Sequence, residues 1–162
     1  MHEFLEYVSK KYELIVFCNG DETTCSGVVD YIESEKKYFE FRFYKNHVLF
    51  DNPNFCIKYY DFLLTGERSL ENFVIIDSKV PTYCLHIFNG IPIKPFSTTT
   101  AKVDSELIFL AKFLTELEAV SNVQLILGTT VRSSILKWKN NHGGQSIESG
   151  DGSSGFSGSI DK

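Results

Sequence analysis

Two short, continuous runs of apolar residues constrain this chain more than any other feature. Residues 13–18 read Glu-Leu-Ile-Val-Phe-Cys, and residues 73–76 read Phe-Val-Ile-Ile and end on Asp77. Apolar character without alternation indicates a strand buried on both faces, which is typical of parallel sheets. Helical patterns flank the first run and follow the second, so we predict an α/β fold. Because such sheets bind ligands beyond the carboxyl ends of their strands, a site is expected at Cys18-Asn19-Gly20 and at Asp77-Ser78.

Four further segments have the spacing of apolar residues that is typical of amphipathic helices. They are residues 2–12, the stretch from the Asn19-Gly20-Asp21 turn to about Ser34, residues 104–120 with Asp104 as the candidate N-cap, and residues 123–138. We expect the second helix to bury Cys25, Val28, Val29 and Ile32. The apolar stripe of the third helix is interpreted as core packing and consists of Leu107, Leu110, Leu114 and Leu117.

Shorter patterns complete the predicted domain. Residues 39–44 alternate three Phe with Glu40, Arg42 and Tyr44, which predicts a half-buried strand, and residues 48–50 predict another. Residues 51–54 have the composition of a turn, whereas residues 55–71 show no decisive pattern. The last twenty residues hold six of the eleven glycines and six serines. We therefore predict a folded domain over residues 1–138 and a disordered tail over residues 139–162.

The bulk composition bounds the class of protein. A length of 162 residues suits one domain, and 43% hydrophobic residues suit a folded core. The net charge of −5 disfavours direct binding of nucleic acid, which normally uses a basic face. No apolar run reaches the length of a membrane-spanning helix, and the first residues resemble neither a secretory signal nor an Arg-rich mitochondrial transit peptide. We expect no membrane segment in this chain.

The four cysteines are Cys18, Cys25, Cys56 and Cys84. They form no C-x-x-C pair, and no Cys/His cluster has the spacing of a zinc site. Free, buried thiols in a reducing compartment are therefore favoured over disulfides. This interpretation places the protein in the nucleus or the cytoplasm.

Six motifs in a fixed order resemble one known family. They are Phe4-Leu5 before the first apolar strand, Phe39-x-x-Arg42-Phe-Tyr-Lys45, Asn54-Phe-Cys-Ile-Lys58, Val74-Ile-Ile-Asp77-Ser, Tyr83-x-x-His86-x-x-Asn89-Gly-Ile-Pro92-Ile, and Asp104-x-Glu106-Leu107 at a helix start. Over about residues 3–125 this order resembles the C-terminal-domain phosphatase family, also called NLI-interacting-factor-like, of the haloacid dehalogenase superfamily. The resemblance implies a three-layer, Rossmann-like parallel sheet with flanking helices.

The resemblance also implies an activity. Members of the family remove phosphate from phosphoserine or phosphothreonine in proteins with the help of Mg²⁺, and tails of RNA polymerase II are their best-known substrates. Their D-x-D-x-T motif supplies an Asp that attacks phosphorus and a second Asp that acts as acid and then as base, which is covalent catalysis. The partner implied for this chain is a phosphoprotein or phosphopeptide.

Five positions of this chain match the family's phosphate and metal sites. Asp77 falls where the family has its magnesium-supporting Asp, and Ser78 falls where an Asn is usual. Lys58 falls on the family's phosphate-binding lysine. Lys45 replaces a common Arg and loses the bidentate fork, and Cys18 replaces a phosphate-binding Thr with a poorer donor. Three of these five positions have therefore changed toward weaker phosphate contacts.

The D-x-D-x-T motif itself is not in the sequence. The family places it on a strand upstream of the helix that here begins at His2. Asn19-Gly20-Asp21-Glu22-Thr23 mimics it, but the flanks match the later second motif, and an Asn amide cannot attack phosphorus. We therefore expect a chain that is incomplete at its N-terminus and inactive as given, through a truncated gene model or gene decay. Its sheet would lack the first central strand and leave neighbouring backbone groups unpaired, at a cost of about 1–3 kcal/mol each.

Other interpretations stay open. The changes at Cys18, Lys45 and Ser78 would suit a non-catalytic binding module, like the presequence-receptor subunit of the mitochondrial inner-membrane translocase, which resembles the same family and would imply a mitochondrial location. A decayed fragment without function is a third interpretation. The site residues also have plainer roles, with Asp77 as a strand-end acid, Cys18 as a buried thiol, and both lysines solvated. His86 and Asn89 are interpreted as structural.

Overall fold

The computed structural model describes residues 1–52, 55–99 and 104–142. In chain order its helices and strands are α1 (His2–Val8), β1 (Leu14–Phe17), α2 (Glu22–Ile32), β2 (Phe39–Phe43), β3 (Val48–Asn52), β4 (Phe55–Lys58), β5 (Ile75–Asp77), β6 (Gly90–Pro92), α3 (Glu106–Glu118) and α4 (Val123–His142). Turns of 3-10 helix cover Lys45–His47, Asp61–Leu63 and Val80–Asn89. Within these described ranges, no helix combines the length and the apolar character that crossing a membrane requires.

The strands form three two-stranded sheets. β1 and β2 are parallel, with Phe17 opposite Phe43, and β5 and β6 are parallel, with Asp77 opposite Pro92. β3 and β4 form an antiparallel hairpin. The fold is thus mixed α/β with short parallel sheets and flanking helices, which confirms the predicted class. In the described part of the chain, β1 and β5 each pair along one edge only, so these two strands have not closed together into one ladder.

The side chains of β1 and around β5 enter two hydrophobic clusters. Leu14 and Val74 pack against a cluster under α1, α3 and α4, whose buried members are Val8, Ile91, Leu110, Leu114, Leu117, Val123 and Leu127. Ile15 and Phe17 pack against a second cluster, whose buried members are Tyr60, Leu63, Ile75 and Tyr83. Because successive residues of a strand point to opposite faces, both faces of β1 are covered. This explains why its sequence is apolar without alternation.

Asn89 anchors the segment between β5 and β6. Its side-chain Nδ2 donates to the carbonyl oxygens of Leu70, at 2.6 Å, and Phe73, at 2.7 Å. Its Oδ1 accepts a hydrogen bond from Gln124 Nε2 at 3.0 Å. Asn89 is 0% exposed, so it is a structural residue, as the sequence analysis proposed.

Glu33 connects the end of α2 to the start of β2. Its Oε1 accepts hydrogen bonds from the backbone N–H groups of Tyr38 and Phe39, and its Oε2 accepts from the Arg42 guanidinium. Burial by itself would raise the pKa of Glu33, but these hydrogen bonds outweigh burial and lower the pKa. Arg42 of the second matched motif therefore has a structural partner.

Several element boundaries differ from the sequence prediction. α1 ends at Val8 rather than residue 12, and α4 continues to His142 rather than ending at residue 138. α3 begins at Glu106, because Ser105 occupies the N-cap position and Asp104 accepts the Glu106 N–H from outside the helix, at 3.0 Å. The undecided stretch 55–71 contains β4 and a 3-10 turn.

Several burial predictions were wrong, and the predicted turn and tail fall partly outside the described residues. Ile76 of the second apolar run is 40% exposed, and the thiol of Cys84 is at an exposed position. Val28 is 60% exposed, because the inward face of α2 centres on Val29. Tyr44 is buried although it lies on the polar side of the alternation in residues 39–44. The predicted turn over 51–54 is part of β3 as far as Asn52, and residues 53–54 lie outside the described ranges, as do residues 143–162 of the predicted tail.

Candidate active site at the carboxyl ends of β1 and β5

Lys58 joins the ends of two strands that do not pair with each other. It is the last residue of β4, and its Nζ donates to the backbone oxygen of Phe17 at 3.0 Å. The same Nζ donates to Asp77 Oδ2 at 2.7 Å. The side chains of Lys58 and Asp77 are only 7% and 11% exposed. One buried ammonium therefore bridges the carboxyl ends of β1 and β5, where the sequence analysis expected a site.

The surroundings of Lys58 are aromatic. Its Nζ lies 5.2 Å from the centre of the Phe17 ring, within the range of a cation–π interaction. Phe17 in turn packs against Phe43 and Tyr60, with ring centres 5.7 Å apart in both pairs. A buried charge needs a partner of opposite sign, and Asp77 supplies it. The plainer interpretation of Lys58 as a solvated lysine was therefore wrong.

Asp77 is held as a carboxylate. Burial by itself would raise its pKa, but the hydrogen bond and the charge of Lys58 outweigh burial and bring the pKa below its usual value. The backbone N–H of Lys79 also donates to Asp77 Oδ1, at 2.9 Å, and lowers the pKa further. Both carboxylate oxygens are thus engaged by the protein.

Cys18 lies directly after β1 with a half-buried thiol. Its backbone N–H donates to the Phe43 carbonyl oxygen at 2.8 Å, which extends the pairing of β1 with β2. Burial, and then the neighbouring thiol of Cys25, raise the pKa of Cys18 to about 11, although the positive charge of Lys58 acts in the opposite direction. At neutral pH Cys18 is therefore a thiol, which is a weak hydrogen-bond donor.

Lys45 and Ser78 lie at exposed positions beside this group. The backbone N–H of Lys45 donates to the Gly20 carbonyl oxygen at 3.1 Å, which places the 3-10 turn Lys45–His47 against the loop after β1. Ser78 directly follows Asp77. The structure thus brings Lys58 and Asp77 into contact, with Cys18 close enough to feel the charge of Lys58.

Sequence reasoning missed two buried residues next to Asp77. The pKa of Tyr60 is raised by burial and by the negative charge of Asp77. The hydroxyl of Thr82, a buried residue, interacts with the Asp77 carboxylate and lowers its pKa. Tyr60 had a signal, because it is two residues after Lys58 and strand alternation favours one side for both. Thr82 had none.

The family is decided by comparison with known proteins. The profile of the NLI interacting factor-like phosphatases matches residues 1–124. This chain belongs to that family. The chain is 32% identical over 125 residues to "Nuclear envelope morphology protein 1" of Schizosaccharomyces pombe. The matched residues cover 77% of this chain and 25% of that protein.

Two vertebrate phosphatases show a similar match. The chain is 32% identical over 124 residues to "CTD nuclear envelope phosphatase 1B" of Danio rerio and to "CTD nuclear envelope phosphatase 1" of Xenopus laevis. Each match covers 76% of this chain and 48% of the relative. The family predicted from the ordered motifs is confirmed, and the chain spans less than half the length of these curated relatives.

Enzymes of the NLI interacting factor-like family are generally magnesium-dependent, so the fit of Mg²⁺ can be tested against the residues present. Among the described residues, no group of three or more His, Cys, Asp or Glu converges as a metal site. Mg²⁺ demands near-octahedral coordination by oxygen, whereas Asp77 offers one carboxylate whose oxygens already contact Lys58 and the Lys79 N–H. The described residues therefore do not by themselves fit a magnesium site.

Proposed function

We propose that this chain supplies the phosphate-binding side of a phosphatase that acts on phosphoserine or phosphothreonine in proteins. The observation that carries the proposal is the contact of Lys58 with both Phe17 and Asp77 at the carboxyl ends of β1 and β5. Ligands of parallel α/β sheets bind at this edge. Membership of a phosphatase family, and relatives named as CTD phosphatases, support the same conclusion.

Lys58 is the central group in this proposal. Catalysis of phosphoryl transfer depends mostly on positioning and on cations that neutralise the phosphoryl oxygens. Lys58 would hold those oxygens while Asp77 keeps its ammonium oriented. Lys45, exposed beside the loop after β1, would add positive charge for a phosphopeptide. Cys18 and Ser78 would contribute weaker polar contacts than the Thr and the Asn that the family has at these two positions.

The nucleophile is assigned to none of these residues. The 162 residues contain no D-x-D-x-T motif. The sequence that mimics it is unsuited, because Asp21 is the exposed N-cap of α2 and Asn19 is an amide. In the described part of the chain, β1 and β5 each keep one unpaired edge, and a strand carrying the motif would pair there. We propose that such a strand also brings the further oxygen ligands that Mg²⁺ requires beside Asp77.

The proposed location is the nucleus. Three relatives carry the nuclear envelope in their names, and they support this location for the family. The substrate proposed is therefore a nuclear phosphoprotein.

The first experiment measures phosphate release from a phosphoserine peptide by the chain as given, with Mg²⁺ or with EDTA. We expect no release above the buffer rate, because the 162 residues contain no D-x-D-x-T motif to supply the nucleophile. Clear Mg²⁺-dependent turnover that Asp77→Ala abolishes would contradict the proposal that these residues include no nucleophile.

The second experiment measures binding of the same peptide, phosphorylated and unphosphorylated, by fluorescence anisotropy. We expect the phosphorylated form to bind more tightly, and Lys45→Met to weaken that preference. Lys36→Met is the matched control, since Lys36 is an exposed lysine paired with Glu6. Equal binding of the two peptides would favour the non-catalytic binding module instead.

A further inference from the structure

Four aromatic side chains form a continuous row that begins next to the candidate site. Phe41 and Phe43 lie on the same face of β2, and Tyr59 and Phe62 lie in the segment that follows β4. The ring centre of Phe43 lies 6.3 Å from that of Phe41 and 5.0 Å from that of Phe62. The ring centres of Phe62 and Tyr59 are 6.3 Å apart. We refer to these four residues as the aromatic row.

Three rings of the aromatic row are open to solvent. Phe41 is 38% exposed, Phe62 is 41% exposed and Tyr59 is 37% exposed. Single exposed apolar side chains are ordinary, but exposed rings that contact one another form a patch, and such a patch usually marks an interaction surface. The Arg68 guanidinium lies 5.2 Å from the centre of the Phe41 ring and covers part of that end of the row. The most open part of the row is therefore Phe62 with Tyr59.

Phe17 connects the aromatic row to Lys58. The centre of the Phe17 ring lies 5.2 Å from Lys58 Nζ and 5.7 Å from the centre of the Phe43 ring, and Phe62 follows 5.0 Å from Phe43. An extended peptide rises about 3.3 Å per residue, so it covers this path, or any shorter one, in about five residues. A peptide whose phosphate contacts Lys58 can therefore place a neighbouring side chain on Phe62.

We propose that the aromatic row binds an aromatic side chain of the phosphoprotein substrate, within about five residues of the phosphoserine or phosphothreonine. This inference rests on the proposed function, because a phosphate held by Lys58 is what fixes the peptide along the row. Phe43 and Phe62 already pack edge to face, with 77° between their ring planes. A ring of the substrate would continue this packing on the open side of Phe62 and Tyr59, and such ring pairs contribute beyond the area that they bury. Phe62 and Tyr59 are thus specificity-determining residues of the candidate site.

The test uses the chain as given and two series of peptides. Each peptide has a polar sequence with a single Phe, placed at successive positions on either side of a central serine, which is phosphorylated in one series and not in the other. Fluorescence anisotropy measures the Kd of each peptide. In the phosphorylated series we expect one or two neighbouring positions at which Phe strengthens binding by about 5-fold or more over Ser, in keeping with partial burial of one ring. In the unphosphorylated series no position should be preferred, because no phosphate fixes the register.

Leu in place of Phe separates ring packing from simple apolar burial. A phosphopeptide with Leu at the preferred position should recover only part of the gain. Phe62→Leu and Tyr59→Leu keep apolar side chains in the protein but remove a ring, so each should reduce the advantage of the Phe peptide. Phe96→Leu is the matched control, since Phe96 is an exposed phenylalanine between β6 and α3, and it should leave that advantage unchanged. Unchanged binding of the phosphopeptide without Phe shows that each variant is folded.

The possible outcomes separate this inference from the proposed function. A phosphorylated series without a preferred position, or a preference that survives Phe62→Leu combined with Tyr59→Leu, would overturn the inference and leave the proposed function standing. An equal gain from Leu and Phe would overturn the assignment of an aromatic side chain. Tighter binding of Phe peptides in both series, regardless of position, would indicate a general protein-docking surface and would also overturn it. Equal binding of phosphorylated and unphosphorylated peptides throughout would overturn the proposed function together with the inference that rests on it.

Discussion

The ammonium of Lys58 lies 2.7 Å from the Asp77 carboxylate, although the two residues end strands of different sheets. Lys58 also binds the Phe17 oxygen, so three strand ends converge on one charged group. Since both side chains are almost fully buried, neither charge can be satisfied by water alone. The same contact therefore stabilises the fold and defines the candidate site.

Lys58→Met should destabilise the protein strongly. The substitution keeps much of the side-chain volume but leaves the Asp77 carboxylate without its cation, and removing one partner of a buried ion pair costs about 3–5 kcal/mol. Urea unfolding measures the change in the free energy of unfolding. Lys36→Met is the control and should cost at most about 1 kcal/mol, because Lys36 and Glu6 form an exposed pair. Equal losses in the free energy of unfolding would show that the buried Lys58–Asp77 pair contributes no more to stability than the exposed Lys36–Glu6 pair.

The stability that Asp77 provides should depend on pH. Its folded-state pKa is lower than its unfolded-state value, which is about 3.9. The contribution is therefore fully present above the unfolded pKa and is lost as the pH falls through the folded pKa. We expect the difference in stability between the unsubstituted chain and Asp77→Asn to be largest near neutral pH and to shrink in acid. Urea unfolding over a pH series measures it, and a difference that stays constant with pH would be inconsistent with an ionised Asp77.

Asn89→Ala should cost about 3 kcal/mol or more. The substitution removes two donors and one acceptor, and it leaves the Leu70 and Phe73 carbonyls and the Gln124 amide without these bonds, at about 1–3 kcal/mol for each buried group. Thermal and urea unfolding measure the loss. Asn46→Ala, at an exposed position, is the control and should change stability by less than about 0.5 kcal/mol. A small effect at Asn89 would mean that water replaces its bonds.

Two glycine-to-alanine substitutions should have opposite effects. A Cβ at Gly90 would lie 1.9 Å from the buried Tyr83 ring, so Gly90→Ala should overpack the core and cost about 1–3 kcal/mol. A Cβ at Gly27 meets nothing within 4 Å, and Gly27 lies inside α2. Gly27→Ala should therefore stabilise the protein by about 0.5–1 kcal/mol through helix propensity. Melting temperatures of the two variants test both signs at once.

The helices and strands that were predicted are those whose own residues carry a recognisable apolar pattern. β1 was visible because residues on both of its faces pack against hydrophobic clusters, and α3 was visible from its leucine spacing. The region of β5 was visible because Val74 and Ile75 pack in different clusters, although Ile76 is 40% exposed. β4 was not, because its four residues are fixed by pairing with β3 and carry no periodic signal of their own. The end of α1 was misplaced because Tyr12 packs on the same cluster from a turn rather than from a helix.

The sequence pointed to Lys58 and Asp77, which the structure brings into contact, but not to the geometry of that contact. The family motifs pointed to Lys58 and Asp77, and strand ends pointed to the same edge of the sheet. The burial of Lys58 was not predictable, because it depends on a partner nineteen residues away and on the Phe17 ring. Thr82 was missed because its contact with Asp77 depends on how the chain turns after Ser78.

The most direct test of the account places a D-x-D-x-T strand from a family member ahead of Met1. The measurement is Mg²⁺-dependent phosphate release from a phosphoserine peptide by this chimera, with Lys58→Met and Lys36→Met compared in the same background. We expect the chimera to be active, Lys36→Met to leave kcat/KM unchanged, and Lys58→Met to lower it by at least about 100-fold, since a preorganised charge next to the transferring group is worth that much. A folded chimera without activity, or one that keeps its activity after Lys58→Met, would contradict the account.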